Sequence, residues 1–452
     1  MKAGTKAKEK ETVCLISLGC PKNLVDSEVI LGYLKQDGFQ ITTQKEKAEI
    51  IIINTCAFIK EATQESLQAI FESTQYKRKG RCQVLIVAGC LPQRYQEGLA
   101  EELNEVDLFI GTGELHRIAG IIKGFKNRSL MNRIQIGKPE FLLNHETPRL
   151  LSTPPYTAYI KIAEGCSNHC NYCLIPSLRG RYRSRTAESI IHEAEILARK
   201  GVKEINLISQ DTTLYGKDLG NGSDLPSLLK DLVKISAIEW IRLLYCHPEH
   251  LSTELISLIA AEKKICSYLD LPIQHVSSEI LKRMGRKGNG KELSKLISSI
   301  RNKIPDITLR TTVMVGFPPE TEKEFAELLR FIEEIRFDHL GVFRYSREEG
   351  TPAARLKNQI PQRIKDKRHN MIMKAQSLIS FKKNQKRINS KIEVLVEERD
   401  TKKGYPFQGR ASFQAPEIDG VVYLTKGKGH IGEIIEAKVT GGSEYDLIAE
   451  GV

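Results

Sequence analysis

The sequence has no apolar stretch of transmembrane length, so it offers no candidate for a membrane-spanning helix. Its basic start, MKAGTKAKEKE, also lacks the apolar segment that a signal peptide needs. We therefore expect a cytoplasmic protein that makes no contact with a membrane. Since disulfides are rare in that reducing compartment, the ten cysteines indicate metal ligands or reactive thiols.

A fourth cysteine is missing from the densest cysteine group of the chain. Cys166, Cys170 and Cys173 have the spacing CxxxCxxC, and no further cysteine follows nearby. Structural zinc sites and ferredoxin-type cluster sites normally use four protein ligands. His169 could complete a zinc site only if the chain folded back sharply, because it directly precedes Cys170. These three residues, called the loop cysteines below, predict a soft-metal site with one open position.

The N-terminal segment alternates strand and helix patterns. Apolar runs rich in β-branched residues predict buried strands at Val13–Leu18, Glu49–Ile53 and Gln83–Ala88. Helical patterns at Asp26–Gln36 and Lys60–Gln75 lie between them. Repeated units of this kind predict a doubly wound parallel sheet, here in a domain of residues 11–145.

A cysteine follows each of these strands, and we call Cys20, Cys56 and Cys90 the auxiliary cysteines. In a doubly wound sheet the loops after neighbouring strands meet at one edge, where ligands bind. The topology therefore predicts a second three-cysteine site, although the residues are far apart in sequence. The alternative is that these cysteines are small buried apolar residues. That interpretation suits the four remaining ones better: Cys14, Cys82, Cys246 and Cys266.

The middle of the chain, after a linker around Asn144–Pro155, contains six predicted strands separated by helical stretches. The strands are Tyr159–Ala163, Glu204–Ser209, Trp240–Tyr245, Ser267–Leu271, Thr308–Val313 and His339–Arg344. Six such units predict a partial (β/α)6 barrel, similar to an incomplete TIM barrel, over residues 152–388. Cofactor and substrate would then bind at the carboxyl ends of its strands.

Charge changes sign near the C-terminus. Residues Ala353–Ser390 carry eleven Lys or Arg and one Asp, and predict a basic helix broken by Pro361. The tail of residues 391–452 carries eight basic and eleven acidic residues, a net charge of −3 on a protein of +12. Five short strand patterns in this tail predict a small all-β barrel of the oligonucleotide-binding type. Its sequence shows no aromatic stripe of the stacking kind, and we expect most of four aromatic residues to be core instead: Phe407, Phe413, Tyr423 and Tyr445.

The loop cysteines resemble the cluster motif of the radical S-adenosylmethionine (SAM) enzymes. Tyr172 precedes the last cysteine, as an aromatic residue commonly does in that family. The context agrees, because the loop follows the predicted strand Tyr159–Ala163, with Gly165 at the turn. The resemblance implies a four-iron cluster on the loop cysteines, with SAM bound at the open iron.

Nearly the whole chain resembles the methylthiotransferases, a radical SAM family. The resemblance implies a second [4Fe-4S] cluster on the auxiliary cysteines and a C-terminal TRAM domain. Several motifs are similar to the branch that modifies a ribosomal protein: LGCPKNLVDSE, IPSLRGRYRSR, LDLPIQHVS, KRMGR, FRYSREEGT and APEIDG. This branch inserts a methylthio group at the β-carbon of an aspartate in protein S-twelve of the small ribosomal subunit. One departure is Pro319, where the family usually has glycine.

The resemblance also suggests further site residues and partners. Gln210, Asp211 and Gly316 are candidate SAM contacts, and Arg185 is a candidate for a carboxylate, together with Arg179 and Arg183. The expected partners are the small subunit or its S-twelve protein, bound through the acidic tail, a one-electron donor such as flavodoxin, and a sulfur donor.

Two other functions are compatible with these residues. A tRNA (adenosine) methylthiotransferase would share the core chemistry, but a basic surface suits tRNA better than an acidic tail. A non-catalytic iron–sulfur electron carrier or RNA-binding protein would bind clusters yet fail to cleave SAM after reduction.

Overall fold

The computed structural model describes residues 10–399, 403–427 and 429–451. Its strands in chain order are β1 Thr12–Ser17, β2 Gln40–Ile41, β3 Ile50–Thr55, β4 Val84–Gly89, β5 Leu108–Gly111, β6 Ile134–Gln135, β7 Thr157–Lys161, β8 Ala163–Glu164, β9 Arg183–Ser184, β10 Glu204–Ile208, β11 Trp240–Leu243, β12 Ile265–Asp270, β13 Thr308–Val315, β14 His339–Arg344, β15 Lys391–Arg399, β16 Phe407–Ala411, β17 Val422–Leu424, β18 Ile434–Gly442 and β19 Leu447–Gly451. Its α-helices are α1 Pro21–Gln36, α2 Lys60–Lys79, α3 Cys90–Glu102, α4 Ile118–Lys126, α5 Ile175–Arg179, α6 Ala187–Arg199, α7 Leu225–Leu232, α8 Thr253–Ala261, α9 Ser278–Arg283, α10 Gly290–Lys303, α11 Glu322–Ile335 and α12 Gln362–Lys386.

The chain forms two compact units, and the first is discontinuous in sequence. It contains the described residues up to Thr153, together with 163–168 and 173–185. Its six-stranded parallel sheet has the order β2-β1-β3-β4-β5-β6. The predicted strands near β1, β3 and β4 are confirmed, with boundaries shifted by one or two residues. The predicted parallel sheet is confirmed, and β2, β5 and β6 extend it.

Apolar side chains cover both faces of this sheet. One core cluster includes Ile51, Ile53 and Leu85, and another includes Ile50, Ile52 and Ile86. Successive side chains of a strand point to opposite faces, so a strand that is covered on both must be apolar throughout. This explains why β3 and β4 read as continuous apolar runs. Leu174 and Leu178, which flank or lie in α5, complete the first cluster.

The second unit contains residues 154–162, 169–172 and everything from Thr186 onward. Its parallel sheet has the order β14-β13-β12-β11-β10-β7, which places sequence neighbours side by side. All six predicted strands of the partial barrel are present. Between them, α11 begins with a capping box in which Thr321 and Glu324 bind each other's backbone amides.

The basic helix α12 begins at Gln362 and continues to Lys386. The prediction of a helix interrupted by Pro361 is wrong, because Pro361 is the N-cap residue of α12. Proline lacks a backbone N–H, and the first turn of a helix does not need one. Upstream of it, Pro352–Arg355 forms a single 3-10 turn.

The tail forms the predicted closed barrel, with the order β15-β16-β17-β19-β18. Its core consists of aliphatic side chains such as Val394, Val422 and Leu447. Tyr423 is buried and Phe407 and Phe413 pack against the core, whereas Tyr445 is 45% exposed. The expectation that most of these four aromatic residues are core is therefore confirmed.

Four cysteines, Cys14, Cys82, Cys246 and Cys266, are buried apolar residues, as the sequence predicts. None of the helices in the described part of the chain combines the length and apolar character needed to cross a membrane.

Candidate functional site

The auxiliary cysteines lie together in the first unit, at the carboxyl edge of three adjacent strands. Strand β3 lies between β1 and β4 in parallel register, and Cys56 directly follows β3. Cys20 caps α1 after β1, and Cys90 begins α3 after β4. Gly19 has φ +90°, and a Cβ atom there would lie 2.6 Å from Cys56 Cβ and 3.1 Å from its sulfur. The fold therefore brings these three thiols to one place.

The thiols oppose one another's ionisation. Burial raises the pKa of Cys56 to about 12, and the charges of Cys90 and Cys20 add to that effect. Burial also raises the pKa of Cys90, against the attraction of the Arg179 guanidinium. Cys90 is buried and Cys20 and Cys56 are partly buried. Their sulfurs would repel one another as thiolates, and a cationic group that binds all three removes this repulsion. This donor set suits a soft metal cluster.

Polar side chains of the LGCPKNLVDSE motif, of β3 and of α2 hold the cysteine loops in place. The Asn23 side chain donates to the Leu18 carbonyl at 2.6 Å, and Asn54 donates to the Asn23 carbonyl at 2.9 Å. Ser66 donates to the Cys56 carbonyl at 2.8 Å. These bonds between side chains and loops fix the backbone that carries Cys20 and Cys56.

Arg179, at the end of α5, lies beside the auxiliary cysteines. Its Nη1 contacts Asp26 Oδ2 at 2.5 Å, and its Nη2 donates to Asn23 Oδ1 at 3.0 Å and to Cys90 Sγ at 3.6 Å. Burial alone would lower the pKa of Arg179, but the charges of Asp26, Cys90 and Glu164 hold it well above its usual range. The carboxylates that Arg179 meets in this unit belong to the protein itself.

The loop cysteines are divided between the two units. Cys166 and Cys173 belong to the first unit, and Cys170 belongs to the second. In the first unit the Cys166 amide donates to the Gly180 carbonyl at 3.0 Å, and Cys173 Sγ accepts from the Ile175 amide at 3.4 Å. Gly165 has φ +77°, and a Cβ there would lie 2.1 Å from the Arg181 carbonyl oxygen.

Residues 169–172 contact three segments of the second unit that are distant in sequence. The Asn171 amide donates to the Met284 carbonyl of KRMGR at 2.9 Å, and the Ala353 amide donates to the Asn171 carbonyl at 2.9 Å. Tyr172 packs edge-on against Phe317, with ring centroids 6.4 Å apart. The residues between Cys170 and Cys173 are thus positioned by distant parts of the barrel.

The loop after β13 carries Gly316, one of the candidate SAM contacts. Gly316 has φ +73°, and a Cβ there would lie 2.4 Å from Lys365 Cγ. Its amide donates to the Glu320 carboxylate, which also binds Arg368 Nη1 at 2.6 Å and His275 Nε2 at 3.2 Å. The Pro318–Pro319 peptide within this loop is cis. The loop is therefore anchored to α12 through a buried carboxylate.

The other candidate SAM contacts lie in different units. Gln210 and Asp211 follow β10 in the second unit, whereas Arg185 is a buried residue of the first. Asp211 accepts from Thr213 Oγ1 at 2.8 Å and binds His250 Nδ1 at 2.8 Å.

Three side chains that follow β10 and β11 form a cluster of possible metal ligands, which was not predicted from the sequence. Ligand atoms of Asp211, His247 and His250 lie within 4.8 Å of one another. The hydrogen bond to Asp211 raises the pKa of His250, while burial lowers that of His247 to about 4. The sequence signal was the CHPEH segment directly beyond a strand end. The direct hydrogen bond between Asp211 and His250 already explains their proximity without a metal ion.

Three family models match consecutive parts of the chain. The Radical SAM superfamily matches residues 160–332, the TRAM domain matches residues 388–452, and the uncharacterized protein family UPF0004 matches residues 12–111. A protein from Citrifermentans bemidjiense named ribosomal protein uS12 methylthiotransferase RimO is 52% identical over 443 residues, which are 98% of this chain and 99% of that protein. The chain belongs to the RimO family.

Other members of the RimO family match over the same length. A relative from Geobacter sulfurreducens is 52% identical over 98% of both chains, and one from Desulforamulus reducens is 49% identical over 97% of this chain and 99% of its own. The expected family is therefore confirmed, and with it a radical SAM protein that uses SAM and iron–sulfur chemistry.

Solved structures support the fold. The radical SAM methyltransferase TsrM from Kitasatospora setae, solved with cobalamin and a [4Fe-4S] cluster, aligns with a TM-score of 0.58 at 15% identity. The alignment covers 76% of this chain and 77% of TsrM. At this identity the likeness concerns the fold alone.

Within the second unit, buried ion pairs connect the barrel sheet to the TRAM barrel. These ion pairs were not predicted from the sequence. Glu204 of β10 binds Arg242 of β11 at 2.9 Å and Arg410 of β16 at 2.7 Å, and all three side chains are buried. Asp419 of the APEIDG motif accepts from the Tyr268 hydroxyl at 2.8 Å. These contacts assign part of the motif to domain attachment.

Proposed function

We propose that this chain is a radical SAM methylthiotransferase that inserts a methylthio group at the β-carbon of an aspartate of ribosomal protein uS12. The observation that carries the proposal is the second three-cysteine group. The auxiliary cysteines converge only in the folded first unit, and a radical SAM enzyme that merely cleaves SAM has no need of them. Identity of about 50% to proteins named for this activity supports the same substrate.

Two [4Fe-4S] clusters and SAM are the proposed cofactors. The loop cysteines Cys166, Cys170 and Cys173 would hold one cluster, and the auxiliary cysteines Cys20, Cys56 and Cys90 the other. When bound, these groups supply a radical able to take hydrogen from an unactivated carbon, and the sulfur that replaces it. The donor sets fit, since each consists of three thiols and leaves a cluster position open.

The protein's own contribution is to bind and position. Gly316, Gln210, Asp211 and Arg185 are proposed SAM contacts. At Gly316 the absence of a side chain permits both the left-handed backbone and close packing against Lys365. The Glu320 carboxylate then keeps that backbone in place through the Gly316 amide.

The proposed domains are residues 11–145 for the auxiliary cluster, 152–388 for the radical SAM core and 391–452 for TRAM. The acidic TRAM domain would bind the basic uS12 protein or the small subunit. A one-electron donor such as flavodoxin and a sulfur donor would act on the enzyme in the cytoplasm.

A second candidate is a tRNA (adenosine) methylthiotransferase. The closed five-stranded TRAM barrel favours it, since barrels of this type bind oligonucleotides. The acidic charge of the tail opposes it.

Mass spectrometry of cells with and without the gene tests the proposal. Both ribosomal proteins and tRNA nucleosides are read from the same culture. Loss of a methylthio mass from uS12 alone is expected. Loss of a methylthiolated nucleoside with unchanged uS12 would instead establish the tRNA enzyme.

A further inference from the structure

We propose that Arg179 is a positioning residue of the auxiliary site, whose N–H···S hydrogen bond to Cys90 favours the reduced state of the cluster held there. The inference rests on the proposed function, because it requires that the auxiliary cysteines bind a cluster. It concerns a residue from the IPSLRGRYRSR motif, which is distant in sequence from all three auxiliary cysteines.

The guanidinium is held in one orientation by three contacts. Nη1 binds Asp26, while Nη2 binds both the Asn23 side chain and the Cys90 sulfur. Arg179 is 4% exposed and Cys90 is 6% exposed, so water competes little for either group. A planar group with fixed donors suits this arrangement, which a lysine ammonium could not reproduce.

The rest of α5 supports the same placement. The Thr112 hydroxyl donates to the Leu178 carbonyl at 2.6 Å, and Leu174 and Leu178 pack in the core beneath the sheet. Gly180, with φ +76°, ends the helix directly after Arg179. The apolar side of α5 therefore binds the core, and its end presents the guanidinium to the thiols.

The charges around Arg179 indicate whether its positive charge or its hydrogen bond influences the Cys90 sulfur. Two buried carboxylates, Asp26 at 2.5 Å and Glu164 at 3.6 Å, face the single guanidinium. Because they offset its net charge, the directional N–H···S bond is the remaining influence. Hydrogen bonds to cluster sulfurs stabilise the more negative, reduced state and so raise the reduction potential.

The test uses the full chain with Cys166, Cys170 and Cys173 all changed to Ala, so that bound iron belongs to the auxiliary site. The protein is reconstituted with iron and sulfide without oxygen. Iron content is measured first, and the midpoint potential is then measured by redox titration followed by electron paramagnetic resonance. Arg179→Gln, Arg179→Lys and the control Arg183→Gln are made in this background. Arg183 lies in the same segment, but its Nη2 donates to the Pro139 carbonyl at 2.7 Å.

We expect Arg179→Gln to reduce the equilibrium constant for cluster reduction at least about tenfold, a downward shift of about 59 mV for one electron. Arg183→Gln should leave it unchanged. A purely structural ion pair would alter iron retention or stability without moving the potential. Unchanged potential in an iron-loaded Arg179→Gln protein would overturn the inference.

If Arg179→Gln does not retain iron, the midpoint potential of the Arg179→Lys protein tests the inference instead. Lysine keeps the charge but cannot make the three contacts together, so a downward shift supports the hydrogen bond and an unchanged potential overturns it. A parent protein that binds no iron at all would instead refute the auxiliary cluster itself, and the inference with it. The iron measurement therefore separates failure of the proposed function from failure of the role of Arg179.

Discussion

At the scale of the residue, the two groups of cysteines should respond differently to substitution. We expect Cys166→Ala to abolish formation of 5′-deoxyadenosine from SAM by the reduced enzyme. Cys56→Ala should spare that reaction and stop methylthiolation, because in the proposed function the auxiliary site would supply sulfur rather than the radical. Both products are measured by mass spectrometry, with the buried Cys82→Ala as control. Continued methylthiolation by Cys56→Ala would show that the auxiliary cysteines are not needed.

Among the predictions for single residues, substitution of Glu204 should lower the stability of the second unit most. It is fully buried between Arg242 and Arg410, and these charges lower its pKa to about 2 against the effect of burial. Glu204→Gln should destabilise by about 3–5 kcal/mol, since two arginines would lose a buried partner. Thermal unfolding at pH 7 measures the effect.

The matched control for Glu204 is Glu239→Gln. Glu239 binds Lys203 at 2.6 Å, but both side chains are about 40% exposed. An exposed pair contributes about 0–1 kcal/mol, so the unfolding temperature should barely change. Equal effects of the two substitutions would contradict the importance of burial.

His250 should make stability depend on pH in the neutral range. The hydrogen bond to Asp211 raises its pKa above 6.5, with a further contribution from Glu249 and opposition from burial and Arg286. Its protonated form therefore stabilises the fold below pH 6.5, and this contribution is lost as the pH rises through the raised pKa. The neighbouring His247 remains neutral in this range because its pKa is about 4.

The measurement for His250 is the difference in unfolding temperature between the wild type and His250→Gln, from pH 6 to pH 9. The difference should be larger at the acidic end. His192→Gln, on the half-exposed surface of α6, controls for loss of an imidazole. A difference in unfolding temperature that grows with pH would contradict the stabilising role of protonated His250.

At the scale of the element, the KRMGR loop should matter through its contact with residues 169–172. Gly285 has φ +74°, and a Cβ there would lie 2.4 Å from the His169 carbonyl oxygen. Gly285→Ala should therefore displace the segment that carries Cys170 and reduce iron bound at the loop cysteines by several-fold. Iron analysis of a protein lacking the auxiliary cysteines measures this.

Gly288→Ala separates backbone strain from displacement of the loop. Gly288 also has a positive φ, +95°, but a Cβ there would meet only the end of the flexible Glu292 side chain, at 3.4 Å. Both variants carry the strain of a left-handed backbone, about 1 kcal/mol. Iron loss of similar size in both would mean that strain, not the His169 contact, is responsible.

Most strands were predictable because long apolar runs mark them. The six strands of the partial barrel lie close to their predicted positions, and the tail contains the five strands expected of it. Strands β2 and β6 have two residues each, too short for any periodicity to be visible. The position of Pro361 relative to α12 was predicted wrongly, because proline interrupts a helix from within but is favourable at its first turn.

At the scale of the whole molecule, the acidic tail should govern recognition of the substrate. Glu393 and Glu436 pair across β15 and β18, and both are exposed. Like charges directly opposite one another cost stability, and Lys391 offsets part of this repulsion by binding Glu436 at 2.7 Å. Both carboxylates remain exposed and accessible to a basic partner. The double variant Glu393→Gln/Glu436→Gln should raise KM for uS12 several-fold. The unfolding temperature should barely change, because the exposed Lys391–Glu436 pair that is lost contributes about 0–1 kcal/mol.

The control for the tail changes charges elsewhere by the same number. Glu61 and Glu72 are exposed on α2 of the first unit, and their double change to Gln should leave KM near the wild-type value. An equal rise in KM for both double variants would indicate a general effect of net charge. Salt should weaken the wild-type interaction more than that of the tail variant.

The sequence predicted the meeting of the auxiliary cysteines but not their surroundings. Parallel strands bring successive loops to one edge whatever the side chains, so Cys20, Cys56 and Cys90 could be placed by topology alone. Arg179 could not, because its position depends on how α5 packs against the core of the first unit through Leu174 and Leu178. The Asp211 cluster was equally hidden, since it depends on the angles of three side chains.

The discontinuity of the first unit limits how the gene can be divided. A polypeptide that ends at Thr153 would lack Leu174 and Leu178, leaving an apolar gap in the core, and its thiols would lack Arg179. Chimeras between relatives would have to exchange residues 163–168 and 173–185 together with the first 153. Cys166 and Cys173 would be exchanged together with the auxiliary cysteines, so the path of the chain links the evolution of the two cysteine groups.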